Sequence, residues 1–451
     1  MKGRAKSIHV FLAVFGIFAA ASFFSPAYVE AERSRSAGAE FVFDAYDILR
    51  RDFYDQERID LPVLLNAALT GLSVAFEGKD VLFVFDEIPM DIAPEGAKKW
   101  FVAEFYRARK LARRIGQFED NELAFAATDA MLNSLHSSHT FFLTPQEYEA
   151  SRIRECGLVV TCGIGIEIRK EDDLIYIHRV YADSPADRAG LLRLDVIVAV
   201  NGEEVGDDLE YISSRVRGER GKSVDISVKR GIKGLTYTIF RDDIVVKDIE
   251  KRIVSRGSHN ILYIHLSGFA ERFVYRVRGA LLAHKYDAVI FDLRDNHGGL
   301  LWVLEAISGF FLRGDTELFV EITESGERGY FIDELNVALT KVPLAVLINN
   351  SSASASEIFA SAVQEAKRGV VLGETSSGAV EVSYKYELDF GAGMGVAICE
   401  VLTSSGKKIE GVGVTPDIEV KLEVEDIIRG EDVQLTKAIE AVIELVEKNK
   451  K

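Results

Sequence analysis

The chain has 451 residues, 48% of them apolar, with 54 basic against 71 acidic side chains and a net charge of −17. At about 100 to 200 residues per domain, such a length exceeds one hydrophobic core and points to several units. The acidic balance argues against phosphate backbones and anionic lipid, and so against nucleic acid as a partner.

Lys2, Arg4 and Lys6 precede an apolar run from Ile8 to Phe24, which Pro26 ends, and Val29-Glu30-Ala31 supplies small residues suited to a signal peptidase. Residues 1–31 read as a secretory signal, which makes the protein exported, in the periplasm or another extracytoplasmic space. An uncleaved membrane anchor is the alternative. Residues 32–150 carry mainly helical spacing, seen in Phe41, Phe43, Tyr46, Ile48 and Leu49 and again from Trp100 to Ile115.

Over 151–240 the period changes to short β-like runs, Leu158–Val160, Ile164–Ile168, Leu174–Val180, Val196–Val200 and Val224–Val228, punctuated by turns such as Asn201-Gly202. Over 241–424 strands and helices alternate. Ala288–Leu293, Leu344–Ile348 and Gly369–Leu372 read as buried strands, and Leu300–Leu312 and Ala355–Ala366 as the helices between them. Such a series predicts an α/β core on a parallel sheet. Residues 425–451, with apolar positions at helical spacing from Leu435 to Val446, read as a terminal helix. Cys156, Cys162 and Cys399 are odd in number and lack CxxC spacing, which speaks against a disulfide framework or a zinc site and for small buried hydrophobes, although Cys156 and Cys162 could pair.

Gly163-Ile164-Gly165-Ile166, Asp183-Ser184-Pro185-Ala186, Ala189-Gly190-Leu191, Asp195-Val196-Ile197 and Val200-Asn201-Gly202 follow one another in an order that resembles a PDZ domain. The resemblance implies that Gly163 to Ile166 turn backbone N–H groups toward the terminal carboxylate of a peptide, which joins the adjoining strand edge. The implied partner is a protein or peptide with a free C-terminus. Apolar Ile164 and Ile166 suit an apolar last side chain, or else belong to the core.

Ser352-Ala353-Ser354-Ala355-Ser356 lies where a strand gives way to a helix, which presents a hydroxyl beside free N–H groups. Capping the helix is the competing role for a serine there. Asp292 to Gly299 closes another strand on paired glycines whose bare backbone can approach a substrate carbonyl. With Gly373-Glu374 and Gly413-Val414-Thr415-Pro416-Asp417, these segments resemble the C-terminal-processing (tail-specific) serine peptidases. The resemblance implies a crotonase-like core into which the PDZ domain is inserted, Ser354 as nucleophile, and an oxyanion hole from the N–H of Ala355 and of Gly298 or Gly299.

Most members of that family pair the serine with a lysine in a Gly-Lys-Gly turn, followed four residues later by glutamine. Here Ser377-Gly378-Ala379-Val380 stands at the turn and Ser383 at the glutamine. An unassisted hydroxyl is a weak nucleophile, so another base is required or the chain is a silent, tail-binding adaptor. A Ser/His/Glu branch of the superfamily, which includes the tricorn core protease and the chlamydial protease-like activity factor, offers the pattern. It places a histidine at the end of the helical region, here Leu135 to Thr140, and a glutamate before the Gly-Val-x-Pro-Asp signature, here Glu410. By that resemblance His139 is the general base and Glu410 its orienting carboxylate. His136, His297, Lys385 and Glu374 are the rivals. No metal or organic cofactor motif is present in the sequence, and a homo-oligomer is left open.

Overall fold

The computed structural model describes residues 26–450 except 80, 120, 156–159, 173, 182, 207, 246–248, 284 and 324. The apolar run of the expected signal and Cys156 therefore lie outside the described residues. Among those described, no helix is long and apolar enough to cross a membrane. Cys162 and Cys399 are free thiols, the second of them buried.

Helices Pro26–Asp52, Leu61–Val74, Pro94–Ile115 and Glu122–Asn133 make up most of the N-terminal region. The second begins at Asp60, whose carboxylate accepts from the Val63 N–H at 3.1 Å, with Pro62 in its first turn, and it buries Leu64, Leu65, Ala68, Leu69 and Leu72. That spacing is one apolar helical face. Met394, Val396 and Ala397 enter the same core, so the helices share it with a sheet of the C-terminal half.

The N-terminal region also ends in a short strand that its helical spacing does not announce. Phe141–Leu143 pairs antiparallel with Gly393–Leu402, placing Phe141 opposite Gly395. Three residues are too few to show alternation, and the partner is some 250 positions away in sequence. The chain thus leaves the His139 loop directly into a sheet of the C-terminal half.

In the second unit, strands Ile166–Glu171, Leu174–Val180, Val196–Val200, Ser223–Arg230 and Lys233–Phe240 form one sheet in that order. Val224, Ile226 and Val228 alternate inward, and Ile164, Ile177, Leu191, Ile197 and Ile212 complete the core. Strand Ile166–Glu171 is an edge, with helix Leu209–Val216 beside it. Val160–Gly163 and Asp242–Val245 pair antiparallel where the chain enters and leaves this unit.

The C-terminal half carries a six-stranded sheet ordered Glu250–Arg256, His259–His265, Ala288–Asp292, Leu344–Ile348, Val370–Gly373, Ile418–Glu419. Every pair after the first is parallel. Both central strands are buried along their whole length, as expected where helices cover both faces. Helices Glu271–Ala283, Leu301–Phe311 and Ala355–Glu365 supply one face, and Val433–Asn449 the other through Ala438, Val442 and Val446.

The single helix expected over 425–451 is two. Gly430 adopts φ +68° after Val424–Arg429, and Asp432 then caps the second helix by accepting from the Leu435 N–H at 3.0 Å. A separate antiparallel sheet of Phe141–Leu143, Gly393–Leu402, Glu317–Thr323 and Gly326–Phe331, with Val382–Glu387 beside Gly393–Leu402, lies outside the strand–helix alternation. The ends of the parallel strands feed the loops 293–300, 349–354 and 374–381, where open α/β sheets hold their ligands.

Candidate active site

Ser354 joins strand Leu344–Ile348 to helix Ala355–Glu365 with φ +56° and ψ −120°. A serine rarely takes positive φ, and such a turn is maintained only where its surroundings enforce it. The two neighbouring serines provide part of that enforcement. Ser352, fully buried, donates to the Leu293 carbonyl at 2.8 Å, and Ser356 donates to the Asn296 carbonyl at 2.8 Å. Both stitch the turn to the loop after Asp292, so the middle serine is the one that stands apart from this stitching.

Glu357 binds the turn from within. It is fully buried, and its carboxylate accepts from the N–H groups of Ser354 (3.0 Å), Gly378 (2.7 Å) and Ala379 (3.0 Å) and from the Ser376 hydroxyl (2.6 Å). Burial raises the proton affinity of this carboxyl, against the four donors that favour its anion. Ser354 in turn donates its N–H to the Ala379 carbonyl at 2.7 Å. The Ser-x-x-Glu spacing that begins at Ser354 is a helix-start signature and was the available signal for Glu357. Glu357→Gln turns an amide nitrogen toward one of these donors and is expected to cost about 2–4 kcal/mol in a denaturant titration, with activity lost in parallel.

The paired glycines lie against different neighbours, Gly298 against Ser354 and Gly299 against Phe269. A Cβ on Gly298 would stand 2.6 Å from Ser354 Cβ and 2.9 Å from the Ala355 nitrogen, and one on Gly299 would stand 2.4 Å from the Phe269 carbonyl oxygen. Both have positive φ, +88° and +145°. The Gly298 N–H is already engaged, donating to Asn296 Oδ1 at 2.9 Å. Of the two glycines, Gly298 thus already has a partner for its N–H, while Ala355 is the first helical residue, whose N–H has no acceptor within its helix. Asn296 is fully buried, holds the Leu266 carbonyl through its amide at 2.8 Å, and carries no sequence signal of this role. Gly298→Ala is expected to lower kcat by about 10²-fold or more, since the methyl group must displace the Ser354 side chain and a small misplacement of a reacting group costs on that scale.

His139 is partly buried, and its Nδ1 lies 2.7 Å from the Ser138 hydroxyl. Burial pulls its pKa below the ordinary 6.5, opposed by the charges of Glu410 and Glu381. Glu410 accepts from the N–H groups of Val380 (2.7 Å) and Glu381 (3.2 Å). The structure thus puts imidazole and Glu410 in one electrostatic neighbourhood and connects Glu410 to Ser354 through consecutive peptides, since Ala379, which receives the Ser354 N–H, precedes Val380. Among the described residues no hydrogen bond joins His139 to Glu410; the His139 N–H donates to Ser137 Oγ at 3.4 Å.

His136 and His297 are exposed. Lys385 donates to Ser151 at 3.3 Å, and Glu374 accepts from Gln434 on the terminal helix at 2.8 Å. No group of three or more His, Cys, Asp or Glu among the described residues could hold a metal.

Of the candidate peptide-binding residues, Gly163 ends a strand, Gly165 turns with φ +84° against Ser184, and Ile166 begins the edge strand. Ile164 is 1% exposed and belongs to the core of its unit, so the terminal side chain of a peptide would not meet it. From that same edge strand Arg169 Nη2 donates to Asp295 Oδ1 and to Ser351 Oγ, both at 2.6 Å. His178 on the neighbouring strand bonds the other Asp295 oxygen. Burial disfavours the Asp295 anion, yet His178, Arg169 and Asn349 together hold this carboxyl well below the usual carboxylate range. This β unit therefore grips both the loop before Gly298 and Gly299 and the loop before Ser354.

Comparison with known proteins matches residues 260–420 to the family model of peptidase family S41 and residues 162–239 to that of the PDZ domain. A carboxy-terminal-processing protease of Bartonella bacilliformis is 30% identical over 70% of this chain and 74% of its own length. A carboxyl-terminal-processing protease of Picosynechococcus is 28% identical over 70% of this chain and 76% of its own. The solved structure of a photosystem II D1 C-terminal processing protease superposes with a TM-score of 0.50 at 22% identity, covering 88% of this chain and 98% of that one, and shares its fold.

Proposed function

Because this chain belongs to peptidase family S41, as a serine peptidase carrying a PDZ domain, we propose that Ser354 is its nucleophile, His139 the general base and then acid, and Glu410 the carboxylate that orients the imidazole. The observation that carries this reading is the Ser354 turn itself, held at φ +56° with Gly298 against its Cβ and the Ala355 N–H beside it. Ser354 Oγ attacks the scissile carbonyl while His139 takes its proton. Ala355 and Gly299 donate to the oxygen that gains charge. His139 then protonates the departing amine, and water, activated by the same ring, releases the acyl group.

The substrates are peptides and proteins, and we read the PDZ unit as selecting those with a free, apolar C-terminus. The chain end would lie along strand Ile166–Glu171, its carboxylate facing the backbone of the Gly163–Gly165 loop and its last side chain Ile166 and helix Leu209–Val216. Residues 1–31 would carry the enzyme out of the cytoplasm. A fluorophosphonate probe and an unfolded reporter ending in apolar residues provide the test. We expect the wild type to label at Ser354 and to degrade the reporter, and C-terminal amidation or a charged last residue to slow that degradation. A wild type that binds the tail without labelling would support the adaptor reading, which Ala379 at the lysine position motivates.

A further inference from the structure

We propose that Glu381 is a positioning residue for His139, holding the histidine loop against the peptidase core and facing the ring with a second carboxylate besides Glu410. The proposal rests on His139 being the general base. Glu381 is 3% exposed and has no part in the chemistry as described above. Both its oxygens are committed. Oε2 accepts from the Ser137 hydroxyl at 2.5 Å, and Oε1 accepts from the Tyr54 hydroxyl at 2.9 Å. Ser137 Oγ in turn lies 3.4 Å from the His139 N–H, which donates to it.

One carboxylate thus reaches the backbone of the base through a single hydroxyl, and the helical region through a tyrosine on the stretch after Pro26–Asp52. Its own N–H donates to Glu410 at 3.2 Å, so the same residue also positions the orienting carboxylate. The charged groups facing His139 are Glu410 and Glu381, with Lys408 near both carboxylates. A buried carboxylate kept at this point costs desolvation, which the two hydroxyl donors, Ser137 and Tyr54, offset. A residue at the end of the 374–381 loop with a purely structural role would not need a charge directed at the His139 loop.

The test is kcat, KM and the pH profile of kcat/KM on the unfolded reporter, using the full chain with Glu381→Gln, Glu381→Asp, Ser137→Ala and His139→Ala. Glu381→Gln is expected to lower kcat about 10–100-fold with KM unchanged, since a small displacement of a catalytic group costs on that scale. It should also move the acid limb of the profile to lower pH, because one of the two charges that favour protonated His139 is gone. Glu381→Asp, which retains the charge, should keep the wild-type limb. Ser137→Ala should lower kcat and leave the limb in place, and this conservative variant decides the matter if circular dichroism shows Glu381→Gln to be unfolded. The proposal is overturned if His139→Ala is inactive while Glu381→Gln, or in its absence Ser137→Ala, retains wild-type kcat and limb. An active His139→Ala would instead remove the base assignment itself, and this inference with it.

Discussion

Ser354→Ala is expected to lower kcat by about 10⁴-fold or more and to abolish fluorophosphonate labelling, with little change in KM or in the melting temperature. Acyl transfer through a nucleophile divides one difficult step into two, and a group that acts as a unit with its base forfeits nearly the whole gain when it is lost. Stability should be preserved because the contacts that maintain the turn come from elsewhere. Ser352, Ser356 and Glu357 hold it to the loop after Asp292 and to residues 376–379. Alanine also suffers no more than serine from φ +56°. Combining Ser354→Ala with His139→Ala should cost no more than Ser354→Ala alone, since the base has then no proton to accept. Additive losses would show that the two residues act in separate steps.

Much of this arrangement could be read from the chain. Strands such as Ala288–Asp292 and Leu344–Ile348 are uninterrupted apolar runs bounded by polar loops, and a buried parallel sheet demands that pattern. The ordered glycines and Ser184-Pro185 of the PDZ unit have a local reason at each position, and local reasons are legible. The antiparallel sheet was not, because its first strand is only three residues long and finds its partner far away, Phe141 opposite Gly395. Nor was the split of the terminal helix. Gly430 breaks it so that Asp432 can meet Arg294 and Arg193, side chains supplied by two other units.

At the site, the residues proposed to do chemistry carry motifs, while those that hold them in place do not. Asn296 occupies the Gly298 N–H and so distinguishes two glycines that look alike in sequence. Glu381 gains its meaning from Tyr54, 327 positions away. Ile164 reads by motif either as a ligand contact or as core, and its burial in the core of its unit is what the pattern alone leaves open.

His139→Ala is expected to lower kcat by about 10²–10⁴-fold, the usual contribution of a positioned general base, while leaving the Ser354 turn and substrate binding intact. The pH dependence carries the sharper signature. The base works only as neutral imidazole, and activity fails on the acid side as the ring takes up a proton. Burial, the largest influence on His139, disfavours the charged ring and places its pKa below 6.5, although Glu410 and Glu381 pull the other way. Activity should therefore persist as pH falls through the ordinary histidine range and decline only beneath it. Glu410→Gln removes one of the two opposing charges and should displace that decline further toward acid while lowering kcat, since the ring then loses the partner that stabilises its protonated form during the reaction. A lysine base would behave oppositely. Its rate would keep rising through neutrality toward alkaline pH, as the ammonium sheds its proton, so a profile that is flat from pH 7 upward and insensitive to Lys385→Ala separates the two chemistries. If His139→Ala kept the wild-type rate and acid limb, the base would have to be sought among other groups around Ser354.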